Sequence, residues 1–311
     1  MKLNLPLLHR VVAQPWAINR DSLRLFTRLI LESDKDLSVF SPVGGSRTDM
    51  IALKSKRPAR TSESRARAKA GQYMPLNFES DYAEDSDSLP PLDDPEGGLY
   101  VVMPWGVLGR AWSVMEKMWL DAVDCDDMIN AVAATPEGST VVLWFRSPGG
   151  IISGIPEAAA QLRQLGKSRR LLAFTDDMCC SAAYWLAAQC SEIHATPTAD
   201  LGSIGVYIAI YDYTDMMESS GISLELFKAG TMKAMGIMGN RLSDEESVFL
   251  QGQVDESYRA FTNDVTANRA ISPETMQGQS LRGKDALSAN LADRFWPSSS
   301  AFFTALGKGR I

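Results

Sequence analysis

"DDMCCSAAYWLAAQC", residues 176–190, sets one serine between a cysteine pair and an apolar, alanine-rich run. The six residues before it, RLLAFT at 170–175, read as a short buried strand, and the run after Ser181 reads as a helix. The serine therefore falls on a strand-to-helix turn. Two readings fit that place. Serine is an ordinary helix N-cap. A serine at the mouth of a helix is equally the position of an activated nucleophile.

Outward from this turn, strand and helix signals alternate. LYVVMPWGVLG (99–109) is an apolar strand-like run, residues 114–134 carry a helical pattern ending before Pro136, and TVVLWF (140–145) is a buried strand. GIPEAAAQLRQLG (154–166) has Pro156 near its start and Gly166 past its end, as helix capping predicts. Strand patterns follow at 192–196, 205–213 and 222–228, with a short helix closed by Gly221 between the last two. Ser243 and Glu246 form a capping box that opens a long helix, with Leu250, Val254, Tyr258, Phe261 and Val265 on one apolar stripe. Repeated β-then-α units predict an α/β fold with a mainly parallel sheet flanked by helices.

The first hundred residues differ in character. Leu23, Phe26, Leu29 and Ile30 recur at helical spacing, so residues 1–40 read as an N-terminal helical arm. Residues 41–97 hold a basic block, KSKRPARTSESRARAKA, and then an acidic one, ESDYAEDSDSLPPLDDPEGG. Like-charge blocks with few large apolar residues do not offset the entropy of ordering, which predicts a disordered linker. Residues 98–311 form the remaining domain.

Bulk properties narrow the function. The 311 residues are 45% hydrophobic, enough to bury a sizeable core. A formal net charge of −7 argues against a role that depends on neutralising phosphates, so nucleic acid is not an expected partner. Cys125, Cys179, Cys180 and Cys190 show neither disulfide-framework nor zinc-ligand spacing, which fits a reducing cytoplasm and predicts no metal. The opening MKLNLPLLHRVVAQPW reaches charge and proline too soon for a signal peptide, and no apolar run approaches a membrane span, so no membrane association is expected.

In open α/β sheets ligands sit beyond the carboxyl ends of the strands. Three loops there are unusual. In FRSPGGI (145–151), Gly149 and Gly150 let backbone N–H groups face outward unobstructed, or simply make a tight turn. At Ser181 the N–H of Ala182 is free to hold a developing oxyanion, with Gly150 as the second donor. LFKAGTMKAMG (226–236) offers Lys228 and Lys233. A serine hydroxyl needs a base, and neither His9 nor His194 has an evident route to Ser181; a lysine held neutral serves the same purpose.

RSPGG, DDMCCSAAYWLAAQC, LGSIGV (201–206) and FKAGTMKAMG, in this order and spacing, resemble the signal peptide peptidase A family of Ser–Lys peptidases, as does the tail SLRGKDALSANLADRF (280–295). Within that family the resemblance is nearest to the capsid assembly proteases of tailed phages, the lambda protein C type. It implies a Clp/crotonase-like fold of ββα units and no cofactor. Ser181 matches the nucleophile, Lys233 the general base, and Gly150 and Ala182 the oxyanion-hole positions. Gly149 and the GSIG stretch, Gly202, Ser203, Ile204 and Gly205, match the substrate-binding positions beside the nucleophile. Arg146 stands where the family usually has a small polar or acidic residue. The implied function is a serine endopeptidase that degrades scaffold and processes capsid proteins within a phage procapsid in the host cytoplasm, as a homo-oligomeric ring. Two alternatives are a crotonase-like acyl-CoA enzyme and a catalytically inactive capsid or scaffold component.

Overall fold

The structure, a computed structural model, describes residues 16–18, 50–53, 98–112, 117 and 121–311, the first two stretches as backbone only. It begins with β1 (Trp16–Ile18), β2 (Met50–Leu53), β3 (Leu99–Val102), β4 (Val107–Gly109), β5 (Ala122–Asp124) and α1 (Cys125–Ala133). Next come β6 (Thr140–Ser147), β7 (Gly149–Ile151), α2 (Ile155–Leu165), β8 (Arg170–Cys180), α3 (Ala182–Ala187), β9 (Glu192–Ala195) and β10 (Asp200–Gly202). The last part holds α4 (Thr214–Ser219), α5 (Asp244–Thr266), β11 (Ser280–Leu281), α6 (Gly283–Ser288), β12 (Arg294–Phe295) and α7 (Ser299–Gly307).

The larger sheet runs β11-β10-β8-β6-β3-β2, with β9 beside β8 and β12 beside β9. Its centre is parallel: β3 with β6, β6 with β8, and β8 with both β9 and β10. Antiparallel pairing is confined to β2 on β3 and β11 on β10. A smaller sheet runs β1-β7-β4-β5. The mainly parallel sheet flanked by helices is as expected from the alternating pattern.

Strands covered on both faces should be apolar almost throughout, and β6 is: Val141, Val142, Leu143 and Phe145 are all buried. One face packs against α2, α3 and the second half of α5 through Leu143, Phe145, Leu162, Ala183, Trp185 and Phe261. The other face carries Leu99, Val101, Val142, Leu172 and Phe174 under Trp296 and Phe302. There Phe174 stacks on Phe302 with ring centroids 4.3 Å apart.

Helix ends follow local chemistry. Pro156 lies in the first turn of α2, entered through Gly154 at φ 89°. At α5 the capping box forms in full: the Glu246 N–H donates to Ser243 Oγ at 3.2 Å and the Ser243 N–H to Glu246 Oε2 at 2.9 Å. Only the second half of the α5 stripe is buried, at Phe261 and Val265.

Several element boundaries differ from expectation. The apolar run 99–109 is two strands in two sheets, because the chain turns at Gly106, which takes φ 119°. Within the helical pattern expected over 114–134, Lys117 is helical, Ala122–Asp124 form β5, and α1 runs over Cys125–Ala133, where the Asp124 side chain accepts the Asp126 N–H and caps it; the other residues of 113–120 lie outside the described ones. Neither 205–213 nor 222–228 forms a strand. In 222–228 Ile222, Leu224 and Phe227 stay exposed, so no covered face rewards ladder formation there. The helix read around 23–30 and the charged blocks of 41–97 lie outside the described residues, although β1 and β2 fall within those two stretches.

Phe261 is wholly buried and its ring stacks on Trp185 at 4.5 Å. Phe261→Ala is expected to lower stability by about 3–5 kcal/mol, read as a drop in the urea midpoint at constant slope.

Candidate active site

Three of the four sequence motifs meet at the carboxyl ends of β6, β8 and β10. The parallel register sets Ser147 beside Cys179 and Gly202 beside Cys180, so RSPGG and LGSIG flank the residue that follows, Ser181. Ser181 has φ 56° and ψ −119°, a conformation that costs a residue with a Cβ about 1–3 kcal/mol and persists only where neighbours enforce it. Its N–H donates to Gly202 O at 2.7 Å, and its carbonyl accepts the Trp185 N–H at 2.9 Å. The side chain makes no capping bond. Ser181 Oγ is buried with no hydrogen-bond partner among the described residues. Ser181 thus occupies the N-cap position without capping: the turn holds its hydroxyl out of the helix's own bonding.

The helix beyond is anchored so that the turn cannot relax. Trp185 Nε1 donates to Asp264 Oδ2 at 2.7 Å, Arg163 donates to Asp264 Oδ1 at 2.8 Å, and the Tyr184 hydroxyl donates to Leu291 O at 3.1 Å. As the first residue of α3, Ala182 has an N–H with no intrahelical acceptor. Gly150 lies on β7 with β4 close behind it; a Cβ there falls 1.8 Å from Leu108 O. Gly149 takes φ 107°, and its N–H bonds to Ser147 Oγ at 3.2 Å.

The GSIG stretch is fixed from the opposite side by β11 and the turn before it. Ser203, at φ 52°, donates its N–H to Gln279 O at 2.8 Å, and a Cβ on Gly205 meets Gly278 Cα at 3.2 Å. Ile204 is fully buried. Arg282 forms a forked pair with Asp200, tying β11 to β10.

The fourth motif makes no hydrogen bond to Ser181. Its Lys233 sits exposed in a turn spanning 231–236. Lys228 donates to Thr231 O at 3.0 Å and lies 3.8 Å from Glu246. His194 is buried elsewhere, with Trp296 Nε1 donating to its Nδ1 at 3.3 Å; desolvation pushes its basicity down. His9 lies outside the described residues. All four cysteines are buried and stand as thiols rather than in disulfides. Desolvation raises the Cys179 thiol well above its usual range and Cys190 to about 12, which keeps both protonated and poorly nucleophilic. Among the described residues no group of three or more His, Cys, Asp or Glu could hold a metal ion, and no helix is long and apolar enough to cross a membrane.

One feature of the site's rim is invisible in the motifs. Arg146 makes a forked pair with Asp176 at 2.8 and 2.7 Å, and Trp144 Nε1 donates to the same carboxylate at 3.0 Å. The guanidinium lies 4.4 Å from the Trp105 ring and 5.0 Å from the Trp144 ring. Burial by itself pushes the Asp176 carboxyl up, but the bonds from Arg146 and Trp144 outweigh it and hold it below the usual carboxylate range. A long cationic residue before SPGG is the only sequence signal for this cluster.

A parallel sheet with a strained serine at a strand-to-helix turn defines a candidate acyl-transfer site on an α/β scaffold. Residues 163–305 match the model of peptidase family S49. Capsid assembly protease C of Escherichia phage lambda is 28% identical over 176 residues, covering 56% of this chain and 40% of that protein. The head-tail preconnector protein GP5 of Enterobacteria phage P21 is 29% identical over 164 residues, covering 52% of this chain and 33% of that protein. The match thus spans well under half the length of either relative. A crystal structure of the ClpP protease catalytic domain from Plasmodium falciparum matches 64% of this chain and 86% of its own at 9% identity, with a TM-score of 0.39.

Two outcomes test the geometry. Gly150→Ala drives a methyl into the Leu108 backbone and is expected to destabilise by about 1–3 kcal/mol, measured by denaturant unfolding. A depressed carboxyl contributes stability that is present above its unfolded value and lost as pH falls through its folded one. Wild type should therefore lose stability as pH drops below about 3.9, and Asp176→Asn should flatten that part of the stability-against-pH curve while lowering stability at pH 7.

Proposed function

We propose that this chain is a serine endopeptidase with Ser181 as nucleophile and Lys233 as general base. The observation that carries the reading is the buried, unpartnered Ser181 hydroxyl on a strained turn, a cost with no evident structural return. Ser181 Oγ attacks the scissile carbonyl carbon while neutral Lys233 takes its proton; the N–H groups of Gly150 and Ala182 hold the oxyanion. Lys233 then gives the proton to the leaving amine as the C–N bond breaks. Water attacks the ester, its proton passes to Lys233 and on to Ser181 Oγ, and the new carboxyl end leaves.

This chemistry requires loop 226–236 to fold over Ser181 in the active form. Gly230 at φ 93° and Gly236 at φ 70° bracket the turn that carries Lys233, giving it two permissive joints. The substrates are scaffold and capsid proteins of an assembling phage head in the host cytoplasm, a reading supported by likeness to a phage capsid assembly protease. A homo-oligomer is supported by Tyr211, Met216, Ile222, Phe227 and Val248, exposed by 45–92% along a stretch that a second copy can cover. Gly149, Gly202, Ser203, Ile204 and Gly205 border the path of an extended substrate, bound chiefly through its backbone.

Intact-mass spectrometry of the chain co-expressed with scaffold and major capsid proteins tests the dyad. Fragments should appear with wild type and vanish with Ser181→Ala and with Lys233→Ala; identical masses in all three overturn the reading.

A further inference from the structure

The smaller sheet places a segment of the chain itself against the candidate oxyanion strand. β1 pairs antiparallel with β7 in the register Trp16 to Ile151, Ala17 to Gly150 and Ile18 to Gly149. The opposite edge of β7 is taken by β4, where Leu108 stands beside Gly150. β7 has two edges and no more, so the one that β1 covers is the edge left for any other strand. An extended peptide docking by strand addition needs such an edge, with main-chain hydrogen bonds supplying affinity.

We propose that residues 16–18 act as a built-in substrate-like strand, seated on the β7 edge that an extended peptide substrate uses, so that substrate binds only by displacing it. This rests on the peptidase reading of Ser181 and adds to it an occupant for the peptide-binding edge. Three features carry it. The occupant is a short extended segment paired antiparallel to β7. It lies directly opposite Gly150, whose N–H serves the oxyanion in that reading. Among the described residues its strand pairing is a three-residue ladder with β7. Residues 16–18 and β2 are separated by 31 residues in the chain, and β2 pairs with β3 rather than with β7.

Such a strand acts as an intramolecular competitor: it raises KM and leaves kcat unchanged. If it is seated roughly nine-tenths of the time, its release lowers KM about tenfold. Consecutive residues of an antiparallel strand alternate in facing their partner. Of Ala17→Pro and Ile18→Pro in the full chain, one therefore removes an N–H that bonds β7 and the other an N–H that points away. Cleavage of an unfolded protein substrate by wild type and the two variants is read alongside hydrogen exchange at residues 16–18 and 149–151. The proline that removes the ladder donor is expected to lower KM several-fold at constant kcat and to abolish amide protection on both strands, leaving β6 and β8 protected. The other proline should do less on both readouts. A synthetic peptide of residues 11–20, VVAQPWAINR, should restore the higher KM competitively. Active enzyme whose KM is equal in all three forms overturns the proposal while the peptidase reading stands. Absence of cleavage throughout overturns the peptidase reading and the competition with it, and exchange then decides the seat alone: unprotected amides at residues 16–18 in wild type exclude it.

Discussion

The site depends on one backbone position held where a serine does not rest by choice. Ser181 at φ 56° is flanked by the longest strand of the sheet on one side and by a wholly buried helix on the other. The bond from its N–H to Gly202 O locks the turn laterally to the neighbouring strand. With strand, helix and neighbour all fixed, the single residue between them absorbs the mismatch. Its hydroxyl is thereby left buried and without a hydrogen-bond partner among the described residues, which is costly for stability.

What keeps strand and helix fixed is packing on both faces. Beneath α3, Trp185 stacks on Phe261 and bonds Asp264, which also receives Arg163, so α2, α3 and α5 are tied at one carboxylate. On the far face α7 covers Phe174 with Phe302, and Trp144 touches Phe303 at 5.1 Å. At the rim, Arg146 and Asp176 bind the ends of β6 and β8 to each other beside Trp105. Removing water from both faces is what allows a nearly all-apolar β6 and β8 to sit at the centre of the sheet.

Much of this site was legible beforehand because its parts are local. Paired glycines after a strand, a serine before an alanine-rich helix and GSIG after the next strand each announce a turn, and parallel registration brings the three turns together. The Ser243 and Glu246 cap is legible for the same reason: its partners are three residues apart. Trp185 with Asp264 and Arg146 with Asp176 were not, since they join residues 79 and 30 positions apart and no periodicity encodes such a pairing. The strand expected at 222–228 failed on the same ground. A strand needs a neighbour and a covered face, and the exposed Ile222, Leu224 and Phe227 have neither.

Sequence by itself determined the α/β class, the place of Ser181 on a strand-to-helix turn, the glycines around it and the start of the long helix, because each follows from spacing over a few residues. Tertiary structure alone decided that the Ser181 side chain makes no capping bond, that Gly150 must lack a side chain because the Leu108 backbone lies against it, and that Lys233 is exposed and makes no hydrogen bond to the serine. It also decided that β7 carries β1 on its open edge. The reason is physical: dihedral strain, close backbone approach and strand neighbours arise from elements packed against each other, and no short window of residues contains both sides of such a contact.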